Sequence, residues 1–304
     1  MALARNAVNQ FLLRERARLM PVHRLGKTDR MVTGFGLGGQ ALLEVKDRQK
    51  DAYDLINKAL NLGVTYFDTA TIYGPSREYL GKALRFRRQN ITLASKVRKR
   101  DYKGAKKELD ESFKLLRTPY IDIVQLHTIE SEKDKSALGK DGALKLLKEA
   151  KKAGKIGAIG ITGHYDPGIL MEFMDEYDFD TVLLAINPAV PHFDEAVKKA
   201  RSKDMGVISM KVMSRGVLPM KYNPKDLLHY ALARSDVAIV GCSNETDVEK
   251  NVLAVADYEE GRAPVIEIPE ESRPDSAYFS KVYERKDKKW PSTYQPDWPE
   301  LQYD

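Results

Sequence analysis

The chain has 304 residues, 42% hydrophobic and 31% charged, the balance of a globular protein with a sizeable core. No run approaches the roughly 18 uncharged apolar residues of a membrane span, and the single cysteine, Cys242, excludes a disulfide framework and any site built on several thiolates. The net charge of +6 comes from 50 basic and 44 acidic residues spread along the whole chain, which suits small anions and not a nucleic-acid footprint.

A lone thiol fits a reducing compartment, so a cytoplasmic protein is expected. The N-terminal stretch MALARNAVNQFLLRERARLM carries Arg5, Arg14, Glu15, Arg16 and Arg18, which break the apolar core a secretory signal needs. Residues 1–21 read as a short amphipathic helix appended to the fold, with a targeting segment as the alternative. Beyond them, short apolar runs alternate with amphipathic stretches. The runs are 31–39 (MVTGFGLGG), 64–68, 91–96, 121–127, 156–162, 181–187, 206–211 and 237–241. Helical periodicity places Ala52, Leu55, Ile56, Ala59 and Leu60 on one face of 48–63, and Leu109, Phe113 and Leu116 on one face of 106–117. Segments 78–84 and 195–204 behave alike, and Gly63, Gly154 and Gly206 stand where helix C-caps are expected. Residues 128–142 make a long polar insert, and 257–304 a tail rich in Pro, Tyr and Trp.

Strands that are apolar throughout have both faces covered, as in a parallel sheet wrapped by helices. Eight such units over 22–256 predict an α/β fold, a single-domain (β/α)8 TIM barrel of about 250 residues; an open doubly wound sheet is the alternative. Gly34, Gly36 and Gly39 have the G-x-G-x-x-G spacing of a Rossmann phosphate loop, with Asp51 or Asp54 as the ribose acid. No helix opens directly on those glycines, so a glycine-lined first barrel strand is the better reading.

Ionisable groups at the C-terminal ends of barrel strands read as catalytic. The second, third and fourth runs end at Asp68, Lys96 and His127, and Tyr73 follows Asp68 in FDTATIYG. Each sits in an apolar setting, where a charge is costly unless paired. Together they suit proton donation to a carbonyl oxygen while a hydride arrives at its carbon. A free phenol, with a pKa near 10, is too weak an acid for this. Lys96 would favour the phenolate of Tyr73, Asp68 would hold the lysine, and His127 would orient the carbonyl. On residue types alone, a buried Lys–Asp pair is as readily structural as catalytic. Arg98, Lys99 and Arg100 read as a solvated basic turn, His23, His192 and His229 as structural or surface residues, and Cys242 as a small buried hydrophobe.

The stretches GFGLGG, GVTYFDTATIYGPSREYLGKAL, ITLASK, YIDIVQLH, GKIGAIGIT and IVGCSNETDVEKN, in that order over about residues 22–256, resemble the successive motifs of the aldo–keto reductase family. The resemblance implies a barrel that binds NAD(P)H extended across its mouth and reduces an aldehyde or ketone to an alcohol. Tyr73 would be the general acid, with Lys96, Asp68 and His127 as partners. A small-molecule carbonyl is the implied substrate, and no metal, nucleic acid or membrane is implied. Oligomeric state is left open.

The resemblance also implies cofactor contacts, Gly38 among them. Thr162 stands for the serine that holds the nicotinamide carboxamide, while its usual asparagine partner is replaced by Gly163, followed by His164. An amide of the sixth strand would fall at Leu183, with Asn187 as the nearest replacement, and Met210 takes the place of a stacking ring. Lys211, Ser214, Arg215 and Gly216 would meet the pyrophosphate, Gly241, Ser243 and Asn244 a 2′-phosphate, and Asn251 the adenine. NADP(H) is the family default. Asp247 stands where many members carry arginine or glutamine, and NAD(H) competes because a carboxylate repels a 2′-phosphate and accepts from ribose hydroxyls. Trp290 and Trp298 would fold over the mouth or pack as an ordinary tail. One rival is a nucleotide-binding regulatory or partner-binding protein with slow residual activity, as in the potassium-channel β-subunits of the family. Another is a metal-dependent barrel hydrolase, against which the five histidines are dispersed.

Overall fold

The first apolar run does not form one strand. It divides at Gly34: β2 (Met31–Thr33) pairs antiparallel with β1 (Val22–Arg24), and β3 (Phe35–Leu37) enters a closed barrel. Strands of three residues are too short to show a period of their own. The structure, a computed structural model, describes residues 11–216, 218–220, 222–258 and 264–266. Trp290 and Trp298 lie outside the described residues. Leu25 and Val32 of the hairpin region are fully buried with the interior side chains Tyr66, Ile123, Leu183, Ile208 and Val237, and so close the barrel at the end where the strands begin.

The barrel runs β3, β4 (Tyr66–Asp68), β5 (Thr92–Val97), β6 (Ile121–Leu126), β7 (Ile156–Gly163), β8 (Thr181–Ala185), β9 (Gly206–Met210) and β10 (Val237–Val240), all parallel, with β10 paired back to β3. A helical segment, α1, spans residues 11–17. Parallel neighbours need crossovers. These are α2 (Gln49–Asn61), α3 (Ser76–Ala83), α4 (Tyr102–Leu116), α5 (Ala143–Lys152), α6 (Pro167–Glu176), α7 (Asp194–Ser202) and α8 (Pro224–Leu232), and α9 (Glu245–Ala256) completes the ring. Of the predicted face of α2, Ala52, Leu55, Ile56 and Ala59 are buried in the core and Leu60 packs against it partly buried.

The start of α4 is set by a cap that periodicity does not show. Asp101 accepts from Gly104 N at 2.7 Å and draws the start of α4 back from the expected residue 106 to Tyr102. Gly63 and Gly154 take left-handed φ values of +83° and +68° after α2 and α5. Gly206 is no cap. The left-handed residue after α7 is Asp204, at φ 52°, and Gly206 opens β9, where a Cβ would fall 2.8 Å from Leu25 Cδ1.

The polar insert is ordered around a short 3-10 helix, Glu132–Leu138, begun by a reciprocal capping box between Ser131 and Asp134. Asp134 also accepts from Arg100 Nε at 2.7 Å. Arg100 is therefore a clamp and not a solvated turn: its Nη2 donates to the carbonyls of His127 and Thr128 at 2.8 and 2.6 Å. No helix among the described residues is long and apolar enough to cross a membrane.

Candidate active site

Asp68 ends β4, Lys96 is the penultimate residue of β5 and His127 directly follows β6, so sheet register alone brings the three to one rim. Lys96 Nζ donates to Asp68 Oδ1 at 2.5 Å and to the Thr69 carbonyl at 2.8 Å, and both charged side chains are buried. The same Nζ lies 5.0 Å from the centre of the Tyr73 ring. His127 meets that ring edge-on, with centres 6.0 Å apart and planes at 89°. Tyr73 is delivered by a turn that needs glycine next to it. Gly74 has φ +44°, and a Cβ there would stand 2.4 Å from the Glu44 carbonyl oxygen.

Burial pushes the Asp68 carboxyl above its ordinary value and the Lys96 ammonium below its own, while each charge pulls the other back. Such a pair holds only while both partners stay. Burial, then the Lys96 charge, holds His127 well below the ordinary histidine value, so the ring is neutral. Its Nδ1 is buried without a hydrogen bond among the described residues. The tautomer with its proton on Nε2 leaves only a lone pair unpartnered and keeps an N–H donor for the mouth.

A cavity of about 430 Å³ opens beside these groups, with Asp68 and Tyr73 in its wall. Of the residues implied for the cofactor, Gly38, Met210, Lys211, Gly216, Gly241, Asp247 and Asn251 line it. Gly38 and Gly241 lie back to back: a Cβ on Gly38 would stand 3.0 Å from Gly241 N, so this part of the wall is bare backbone. The side chain of Arg215 lies outside the described residues.

The other implied contacts do not reach this wall. Thr162 is fully buried, and its Oγ1 accepts from Thr128 N at 2.8 Å, which anchors the loop after β6. Both ends of the Asn187 amide are engaged by backbone: Nδ2 donates to the Lys211 carbonyl at 2.9 Å and Oδ1 accepts from Ala189 N at 3.0 Å. Ser214 is fully buried in a left-handed turn at φ 43°. Ser243 and Asn244 build the start of α9, where Asn244 Oδ1 accepts from Asp247 N at 2.9 Å. Asp247 answers by accepting from Ser243 N at 2.8 Å and from the Asn244 N–H, so its carboxylate is turned onto the backbone, and burial raises its pKa.

Sequence reasoning missed Gln40, whose Oε1 accepts from Lys211 Nζ at 3.3 Å, and it missed Lys250 and Ala254 in the wall. Residues 247, 250, 251 and 254 share one helical face, so the i, i+3, i+4, i+7 spacing was the available signal. Arg16, Lys225 and Asp257, also in the wall, carry no local signal. Cys242 is buried, where burial raises its thiol pKa and Asn251 Nδ2 donates to its Sγ at 3.4 Å. Among the described residues no group of three His, Cys, Asp or Glu side chains is placed to hold a metal ion.

The barrel mouth therefore holds a phenol, a neutral imidazole and a buried ion pair beside a cavity, groups chemically able to exchange protons with a bound organic molecule. Comparison with known proteins narrows that chemistry. The chain belongs to the aldo/keto reductase family, whose model matches residues 34–260, and it is an oxidoreductase of the NAD(P)-dependent kind that acts on carbonyl and alcohol groups. It is 28% identical over 295 residues to L-galactose dehydrogenase of Arabidopsis thaliana, covering 77% of this chain and 88% of that one. A putative aldo-keto reductase from Pseudomonas aeruginosa superposes with a TM-score of 0.68 at 25% identity, over 77% of this chain and 94% of that one. An aldo-keto reductase from Klebsiella pneumoniae solved with NADPH gives 0.70 over 80% and 92%; at 18% identity this likeness shows the fold alone.

Proposed function

We propose that the barrel interconverts an aldehyde or ketone and the corresponding alcohol, with Tyr73 exchanging the proton at the substrate oxygen. The observation that carries this is the Lys96 ammonium, bonded to Asp68 at 2.5 Å and 5.0 Å from the centre of the Tyr73 ring. A bound reduced nicotinamide supplies the hydride for the carbonyl carbon. Tyr73 gives its proton to the carbonyl oxygen, and the nearby ammonium stabilises the phenolate that remains. Asp68 keeps Lys96 charged and in place. Neutral His127 donates its Nε2–H to the same oxygen as negative charge develops there. In the reverse direction the phenolate takes the hydroxyl proton.

The residues present fit an extended dinucleotide. The cavity starts at Asp68 and Tyr73, passes Met210 and the bare backbone of Gly38 and Gly241, and presents Lys211 for a phosphate. Thr162 and Asn187 are engaged elsewhere, so the carboxamide is anchored differently from the family pattern. NADP(H) is the leading cofactor, as membership of the family implies, and Asp247 in the wall keeps NAD(H) in competition. L-galactose dehydrogenase is named for a sugar, which makes polyhydroxylated aldehydes and their alcohols the first substrates to screen.

Replacing Tyr73 by Phe tests the reading. Turnover of an active carbonyl should fall about 10²- to 10⁴-fold while fluorescence titrations with NADPH and NADH stay unchanged. Normal turnover in the variant would remove Tyr73 from the chemistry. A wild-type protein that binds dinucleotide and turns over nothing in a broad carbonyl and alcohol screen would favour the regulatory rival.

A further inference from the structure

The cavity is also lined by a residue from outside the barrel. Arg16, on α1, lines the wall with Pro224, Asn251, Leu253, Ala254 and Asp257. The segment that carries it is docked, since Leu13, Ala17 and Met20 are buried in the core around the barrel. Arg16 Nη2 bonds Asp257 Oδ1 at 2.5 Å, and Lys225 Nζ bonds Asp257 Oδ2 at 2.9 Å. One carboxylate therefore ties α1 to the start of α8 just past the end of α9, at the rim of the cavity.

We propose that Arg16 is a cofactor-binding residue that covers the base at the adenosine end of the dinucleotide, which makes the N-terminal segment part of the binding site. The inference rests on the nicotinamide-cofactor reading above. Its reach follows from the cavity, which is continuous from Tyr73 to Arg16, so a molecule with its reacting ring at the first and a second ring at the other end spans it. The chemistry at Arg16 favours a neutral heteroaromatic ring over a phosphate. Arg16 and Lys225 already share Asp257, and Asp247 adds a second carboxylate to the wall, so a phosphate would face anions as well as cations.

Pro224, Leu253 and Ala254 offer apolar faces, and a guanidinium is planar and stacks on ring faces. Asn251 donates its Nδ2–H to Cys242 Sγ at 3.4 Å, which leaves its amide oxygen as the acceptor for an exocyclic amine such as adenine carries. The Arg16 side chain remains 52% exposed despite its ion pair, so a face is available to a ligand.

The test titrates full-length wild type, R16A, R16K and D257N with NADH, NADPH and reduced nicotinamide mononucleotide, which lacks the adenosine. R16A should weaken NADH and NADPH alike, roughly three- to tenfold, and leave the mononucleotide unchanged. R16K keeps the charge without the plane and should recover little of the loss; full recovery would overturn the stacking role. D257N cuts the ion pair but keeps the guanidinium, and should bind both dinucleotides at least as well as wild type. A loss in D257N equal to that in R16A would show that docking of α1, not contact, sets affinity, and would overturn the proposal. Unchanged dinucleotide affinity in R16A overturns it outright, and a loss for NADPH alone overturns the base contact in favour of the 2′-phosphate. If the wild type binds neither dinucleotide, the cofactor reading itself has failed, and that is visible before any variant is compared.

Discussion

The two ends of the cavity are held by different means. At the Tyr73 end, Asp68, Lys96 and His127 sit on or directly after barrel strands and are buried, so the register of Asp68 against β5, of Lys96 against β6 and the bond from His127 N to the Val97 carbonyl fix them. At the Arg16 end the groups come from helix termini and ion pairs, with 52% of the Arg16 side chain and 42% of the Lys225 side chain exposed. Proton transfer tolerates little displacement, and a site on rigid strands supplies that accuracy. Recognition of a base or phosphate tolerates more, and exposed side chains serve it. Substitutions at the first end should therefore cost both folding and turnover, and those at the second mainly affinity.

The sharpest way to break this contrast is Asp68→Asn, which leaves the buried Lys96 ammonium without its carboxylate. A stability loss of about 3–5 kcal/mol is expected, read from urea unfolding, together with loss of turnover. The paired change Asp68→Leu with Lys96→Met should return most of the stability, because apolar groups of similar size replace both charges, and none of the activity. A double variant that still reduces carbonyls would show that the ion pair is only structural.

His127 sharpens the contrast through pH. Burial holds its pKa well below the ordinary 6.5. The unfolded chain takes up a proton below that pH while the folded chain does not. This contribution to stability is complete above about pH 6.5 and is lost as pH falls through the interval beneath it, by about 1.4 kcal/mol per pH unit. Urea melts at about pH 7.5 and about pH 5.5 should show a steeper acid loss for wild type than for His127→Asn. Equal slopes would mean that the folded ring takes up a proton as readily as the unfolded one, so that burial does not keep it neutral below about pH 6.5.

The same division explains what was legible in the sequence. Strand tips were readable because an ionisable residue at the end of an apolar run is conspicuous, and Asp68, Lys96 and His127 each stood at such an end. The eight barrel strands were readable as apolar runs, whereas β2 is absorbed into the first of those runs and β1, Val22–Arg24, is not apolar. The cofactor contacts were not, because their geometry depends on which backbone groups each polar side chain answers. Asn187 and Thr162 are polar residues at strand ends like Asp68, yet their side chains are taken by Lys211, Ala189 and Thr128. Nothing local distinguishes a strand-end amide that faces a cavity from one that closes its own loop. Arg16 and Asp257 lie 241 residues apart, and only the closed ring brings them together.

Asp247 is where the two kinds of end meet, and it gives the smallest effect. Its carboxylate accepts from the N–H groups of Ser243 and Asn244 at the start of α9, so it performs inside the chain the task a phosphate would perform at a helix N-terminus. Asp247→Ala removes that answer and frees the same donors. The cofactor-free protein should lose about 0.5–2 kcal/mol, the usual size of a lost cap. Affinity should move the other way: the ratio of NADPH to NADH binding should rise roughly fivefold, since a 2′-phosphate can occupy the place the carboxylate gave up. A protein that is less stable alone yet binds NADPH better is the signature of an internal anion competing with an external one. A ratio unchanged by the substitution would confine Asp247 to capping α9 and remove the carboxylate as the reason for NAD(H) to compete.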